Sequence, residues 1–147
     1  MKLSIRKIIQ EIDEKDYPIH GKIVIQGIPI EIENKKGTLR VGYDKMHQWC
    51  TKMGNHYGRI PGTKSSDGDM IDVFVGNNKD SNKVFIVFLI DSRTKKFDEI
   101  KAFIGFNSPT EVKKSLKQNY DNIEDIFDRI EEININEFKK FLIRNMK

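Results

Sequence analysis

The sequence predicts an α+β domain: a small closed OB-like β-barrel of five to six strands, flanked by an N-terminal helix and by C-terminal helices. Three observations predict it. Between Gly21 and Phe106 the apolar residues alternate or form short runs separated by turn residues, which is the signature of strands. Before that segment, Ile5, Ile8, Ile9 and Ile12 recur at helical spacing. After it, Ser108-Pro109-Thr110-Glu111 opens a helical section with a capping box and Pro at the first helical position. Strands followed by helices is an α+β order, and a short strand set closes most simply into a barrel.

The elements follow in turn. Ser4 caps a helix running to about Lys15, stopped by Asp16-Tyr17-Pro18. Ile23 and Ile25, then Ile28, Ile30 and Ile32, alternate with other residues in two strands broken at Gly27. Asn34-Lys35-Lys36-Gly37 turns the chain into Leu39-Arg40-Val41. Asp44 to Asn55 fits either a helical turn or an irregular crossover. A strand closes on Ile71, Val73 and Val75, and Val84 to Ile90 is apolar enough for a strand buried on both faces. Ile100 to Phe106 is a further strand. Val112, Leu116 and Tyr120 line one helical face; Asn122 to Glu132 reads as a second amphipathic helix, with a strand also open. Asn136 caps a last helix with Phe138, Phe141, Leu142 and Met146 inward. The 147 residues thus read as one domain: a helical extension over 1–20, a barrel core over 21–106 and a helical part over 107–147.

Composition narrows the function. Twenty-six Lys and Arg against 22 Asp and Glu leave +4, which suits a phosphate-bearing partner without requiring a nucleic acid. The single Cys50 rules out an internal disulfide, and no Cys/His spacing suits zinc. With no apolar run long enough to span a bilayer and no signal-peptide pattern, the expectation is a cytoplasmic protein with no membrane partner.

The informative segment is His56-Tyr57-Gly58-Arg59-Ile60-Pro61, followed by Asp67-Gly68-Asp69-Met70-Ile71-Asp72-Val73. Three carboxylates within six residues lead into an apolar strand, where alternation sends Ile71 and Val73 away from Asp72. Crowded carboxylates call for a neutralising cation, and a hard, oxygen-loving one, Mg²⁺ before Ca²⁺, is the natural match. A plain solvated Asp-Gly turn is the alternative on spacing alone. An EF-hand does not fit, because the loop's twelfth position is Asn78.

Asp67-Gly68-Asp69-Met70-Ile71-Asp72-Val73 resembles the metal-binding signature of the soluble family I inorganic pyrophosphatases, with Tyr57-Gly58 and Ile60-Pro61 matching its lead-in. Lys36-Gly37-Thr38, Lys83-Val84-Phe85 and Phe97-Asp98-Glu99-Ile100-Lys101 are similar to the phage-type pyrophosphatase-like domain. The resemblance implies a Mg²⁺-dependent hydrolase that cleaves pyrophosphate using several Mg²⁺ ions, with Mn²⁺ as a substitute, in a bacterial or phage-infected cytoplasm. It implies Asp67, Asp72, Asp91, Asp98 and Glu31 as metal ligands, Asp69 as the residue that orients or deprotonates water, and Lys101 on the leaving phosphate. Tyr57 would donate its hydroxyl, and Tyr120 takes the late tyrosine position. Pro29, Tyr43 and Asp121 stand where the family has cations, so the phosphate clamp would come from Arg40, Lys22, Arg59 and Lys64. Glu99, next to Asp98, is expected to alternate away to solvent.

Two alternatives stand beside this reading. One is a hydrolase of nucleotide phosphoanhydrides; the other is a phage-type scaffold of weak or no activity that acts in binding or counter-defence. A nucleic-acid-binding OB module is disfavoured by the acids of the Asp-Gly-Asp segment. A second copy of the chain is a further candidate partner.

Overall fold

The computed structural model describes residues 19–44 and 47–146; the helix expected over 4–15 lies outside them. Nine strands are described: β1 (Gly21–Ile25), β2 (Ile28–Asn34), β3 (Leu39–Asp44), β4 (His47–Lys52), β5 (His56–Ile60), β6 (Ile71–Val75), β7 (Lys83–Ile90), β8 (Phe97–Ile104) and β9 (Phe127–Asn134). Three helices accompany them: α1 (Pro109–Asn119), α2 (Ile123–Ile126) and α3 (Ile135–Arg144).

Seven strands form one mixed sheet in the order β1-β2-β5-β6-β8-β7-β9, and β3 pairs only with β4 in a separate hairpin. The pair β6–β8 is parallel, and the other pairs are antiparallel. The closed barrel expected from the sequence is therefore not formed: among the described residues the sheet is open, with β1 and β9 as its edges. The reason lies in the central strands, whose apolar side chains point both ways. One face packs Ile71, Val73, Val84, Ile86, Ala102 and Ile104 against Ile135, Phe138 and Leu142 of α3. The other packs Tyr57, Phe74, Phe85, Val87 and Phe103 against Val112 and Leu116 of α1. A small barrel buries one face inward; this sheet needs a layer on each side.

Local signals explain most elements. The β1–β2 hairpin turns through Gln26 and Gly27, both at positive φ (49° and 84°), as a two-residue hairpin turn requires. Ser108 caps α1, its Oγ accepting the Glu111 N–H at 3.2 Å. The segment left open over 122–132 divides, with α2 occupying one turn before β9 begins. Asp44 to Asn55 supplies β4 rather than a helical turn. The last helix starts earlier than expected: Asn134, not Asn136, caps α3 in a reciprocal box with Glu137. Met146, expected inward, is exposed. No described helix is long and apolar enough to cross a membrane.

At the carboxyl end of β6, a buried polar knot ties α1 to the sheet. Asn55 Oδ1 accepts from Ser115 Oγ at 2.5 Å and from Asn119 Nδ2 at 3.4 Å, while Asn55 Nδ2 donates to the Val75 carbonyl at 3.4 Å. Asn119 Oδ1 accepts the Gly54 N–H at 2.8 Å.

Candidate active site

Near the opposite end of the β6–β8 pair, the face that carries α1 changes from aromatic to charged. Period-two alternation places the side chains there: Tyr57 and Arg59 on β5, Asp72 beside Phe74 on β6, and Glu99 and Lys101 before Phe103 on β8. With Glu33 and Asn34 of β2, Arg40 of β3, and Asp67, Asp69 and Met70 of the loop before β6, they line a cavity of about 370 Å³.

Lys101 is its centre. Its Nζ, on a residue only 6 % exposed, donates to Tyr57 Oη at 2.7 Å and to Asp72 Oδ2 at 2.8 Å, and lies 2.5 Å from Glu99 Oε1. Burial pulls its pKa down, but Tyr57, Asp72, Tyr120 and Glu99 outweigh burial and hold it well above the ordinary 10.5. Burial, then the Asp72 charge, push the Tyr57 hydroxyl well up, and the Arg40 guanidinium sits 4.7 Å over the Tyr57 ring.

Arg59 lies beneath this layer, donating from Nε to Glu31 Oε1 at 3.0 Å, with Nη1 3.9 Å from Glu33 Oε1. Gly58 makes the placement possible, since a Cβ there would lie 2.0 Å from the Glu31 carbonyl oxygen. Beside it, β2 bulges: Ile32 pairs with Gly58 and Asn34 with Tyr57, which leaves Glu33 without a strand partner. Glu33 is 7 % exposed, and its Oε2 is buried with no hydrogen-bond partner. Burial first, and the Asp72 charge second, raise its carboxyl from 4.5 to about 7 against the pull of Arg59, Arg40 and Lys101.

Asp67 and Asp69 stand exposed on the rim. Asp67 Oδ1 accepts from Ser65 Oγ and from the Asp69 N–H at 3.0 Å, an arrangement that passes through Gly68 at φ 92°.

Of the residues singled out from the sequence, Asp67, Asp69, Asp72, Tyr57, Lys101, Arg40 and Arg59 line this one cavity. The Tyr120 hydroxyl is buried without a hydrogen-bond partner, packs by its ring edge against Phe74, and feels the charges of Lys101, Arg40, Glu99 and Asp72. The other five do not line it. Glu31 is held by Arg59, Lys22 faces solvent opposite Glu31 on β1, and Lys64 is exposed with its N–H bonded to the Asn145 carbonyl. Asp91 closes the β7–β8 turn, where the Thr94 and Arg93 N–H groups hold its carboxyl below the ordinary 3.8. Asp98 is exposed at the register shift between β7 and β8 and does not line the cavity.

Two acids were missed. Glu99 is on the cavity wall, not turned to solvent, and counting back by two from Lys101 rather than from Asp98 finds it. Glu33 is reached by the bulge.

The donors are all oxygen: Asp67, Asp69, Asp72, Glu33 and Glu99. Among the described residues no three His, Cys, Asp or Glu side chains are gathered closely enough to hold a metal ion, and the Lys101 ammonium stands between Asp72 and Glu99. The donor chemistry nonetheless fits a hard divalent cation, and the unpartnered Glu33 oxygen is a buried acceptor of the kind such an ion satisfies.

A carboxylate cluster interleaved with cations makes a strongly polar cavity, of the kind that handles charged small molecules. The family model for Inorganic Pyrophosphatase matches residues 10–143, and the chain belongs to that family. No curated protein matches it significantly. Among solved structures, an inorganic pyrophosphatase from Coxiella burnetii is similar at 16% identity and a TM-score of 0.39, over 79% of this chain and 89% of that one. An inorganic phosphatase from Anaplasma phagocytophilum is similar at 16% identity and a TM-score of 0.35, over 88% and 93%.

Proposed function

We propose that this pyrophosphatase-family chain hydrolyses the phosphoanhydride bond of inorganic pyrophosphate with Mg²⁺. The observation that carries the reading is the meeting, in one cavity, of Asp67, Asp69 and Asp72 with Arg40, Arg59 and Lys101. Asp67, Asp72 and Glu99 would hold the ions. When bound, Mg²⁺ neutralises phosphate charge and makes water acidic enough to attack at neutral pH.

The chain's own groups do the rest. Asp69, on the exposed rim next to the cavity, takes the proton of the attacking water. Lys101, paired with Asp72 and Glu99 in the cavity, would turn its ammonium to the leaving phosphate oxygen if those acids held the ions. Arg40, over the Tyr57 ring, supplies the second cation and Tyr57 a hydroxyl. These side chains replace the family cations absent at Pro29, Tyr43 and Asp121.

The test is release of orthophosphate from pyrophosphate by the purified chain with Mg²⁺, with ATP as a second substrate. Rapid release from pyrophosphate supports the reading. Release from ATP alone moves the substrate to nucleotides. No release with Mg²⁺ or Mn²⁺ overturns it in favour of a binding scaffold.

A further inference from the structure

Glu31 and Glu33 both project from β2 toward the charged side of the sheet, but their surroundings differ. Glu31 has a full partner, the Arg59 Nε at 3.0 Å, and lies outside the cavity wall. Glu33 forms part of that wall, its nearest cation is Arg59 Nη1 at 3.9 Å from the other oxygen, and Oε2 has no hydrogen-bond partner. A carboxylate buried in this way is strongly unfavourable unless a cation reaches it. The backbone reinforces the point. The register between β2 and β5 slips at Glu33, and a bulge beside a site re-aims the side chain it carries.

We propose that Glu33, not Glu31, is the β2 carboxylate that binds the divalent cation of this site, with Glu31 retained as the counter-ion that fixes Arg59. The assignment rests on the pyrophosphatase reading and adds a ligand to it. The two neighbouring acids thereby serve different ends. Glu31 holds a protein cation in place, and Glu33 faces the metal through its open oxygen. Asp72 lines the same cavity from β6 and is the carboxylate tested beside Glu33.

Direct Mn²⁺ binding without substrate tests it, read by titration calorimetry and by the resonance signal of free Mn²⁺, on the unaltered chain, E33Q, E31Q and D72N. Far-UV circular dichroism establishes that each variant is folded. The expected result is a loss of about tenfold or more in Mn²⁺ affinity for E33Q, with E31Q binding as the unaltered chain does. E33Q binding normally while D72N has lost affinity overturns the Glu33 assignment and leaves the pyrophosphatase reading standing. No Mn²⁺ binding by the unaltered chain, or undiminished binding by both E33Q and D72N, overturns both.

Discussion

At one end of the parallel β6–β8 pair, Asn55, Ser115 and Asn119 are buried and satisfy one another; at the other, Glu33 is equally buried and one oxygen has no partner. Both clusters sit on the α1 side of the same strands. The first is a closed set of neutral hydrogen bonds that fixes a helix to a sheet. The second holds five acids against three cations, with Lys101 shared among Tyr57, Asp72 and Glu99. Polar groups that complete each other contribute to folding, whereas those left incomplete await something from solution.

Breaking each end separately sharpens the contrast. The largest effect is expected from Asp69→Asn, which removes the proton acceptor: turnover of pyrophosphate should fall by about 10²–10⁴, with the unfolding midpoint in urea unchanged. Glu33→Gln should act on stability with the opposite sign. In chelator, the carboxyl is protonated in both folded and unfolded chains below pH 4.5. As pH rises from 4.5 to about 7 the unfolded chain ionises first, so the folded state loses stability across that window. Above pH 7 the loss is complete, at about 3 kcal/mol. Glu33→Gln lacks this penalty, and its melting temperature in chelator should exceed that of the unaltered chain at pH 8 and match it at pH 4.

At the closed end, Asn55→Ala leaves the buried Ser115 hydroxyl without its acceptor, while the Asn119 amide keeps the Ser115 carbonyl and Oγ. It should lower unfolding stability by about 1–3 kcal/mol and leave Mn²⁺ affinity unchanged; a loss of affinity would show that the two ends are coupled. The smallest effect concerns His56, whose Nδ1 accepts the Lys36 N–H at 3.0 Å. Burial, then Lys35 and Lys36, lower its pKa below 6.5, so this bond is present at neutral pH and lost as pH falls through the depressed value. His56→Ala should cost about 1 kcal/mol at pH 7 and less in acid, measured by urea unfolding at both pH values.

The legible part of the site was the part written in one stretch of chain. Asp67, Asp69 and Asp72 converge with Tyr57 because a Gly-Asp loop runs straight into a strand pairing with β5, and both are visible in the residues. Asp91 and Asp98 fall away for different reasons. Asp91 is consumed by its own turn, and Asp98 falls at a register shift between β7 and β8, while Glu99, in phase with Lys101, reaches the cavity. Glu33 was hidden more deeply, since a register slip is decided by two strands and is written in neither. The fold shows the same division. Alternation marked the β1–β2 hairpin, the strand at Ile71 and the doubly buried strand at Val84 to Ile90. The open sheet follows from central strands with apolar residues on both faces, and β9 stayed hidden because its Asp128, Arg129, Glu131 and Glu132 read equally well as a solvated helix face.

Gly58 sets a gauge. With only a hydrogen at that position, β2 and β5 run at the spacing of bare backbone, so the Arg59 side chain reaches Glu31 and the bulge falls where it does. Even a methyl group would pry the two strands apart, separating the Glu33 side of the cavity from the Tyr57 side. The reach of the whole charged cluster is thus fixed by the narrowest residue in it, one that bears no charge at all.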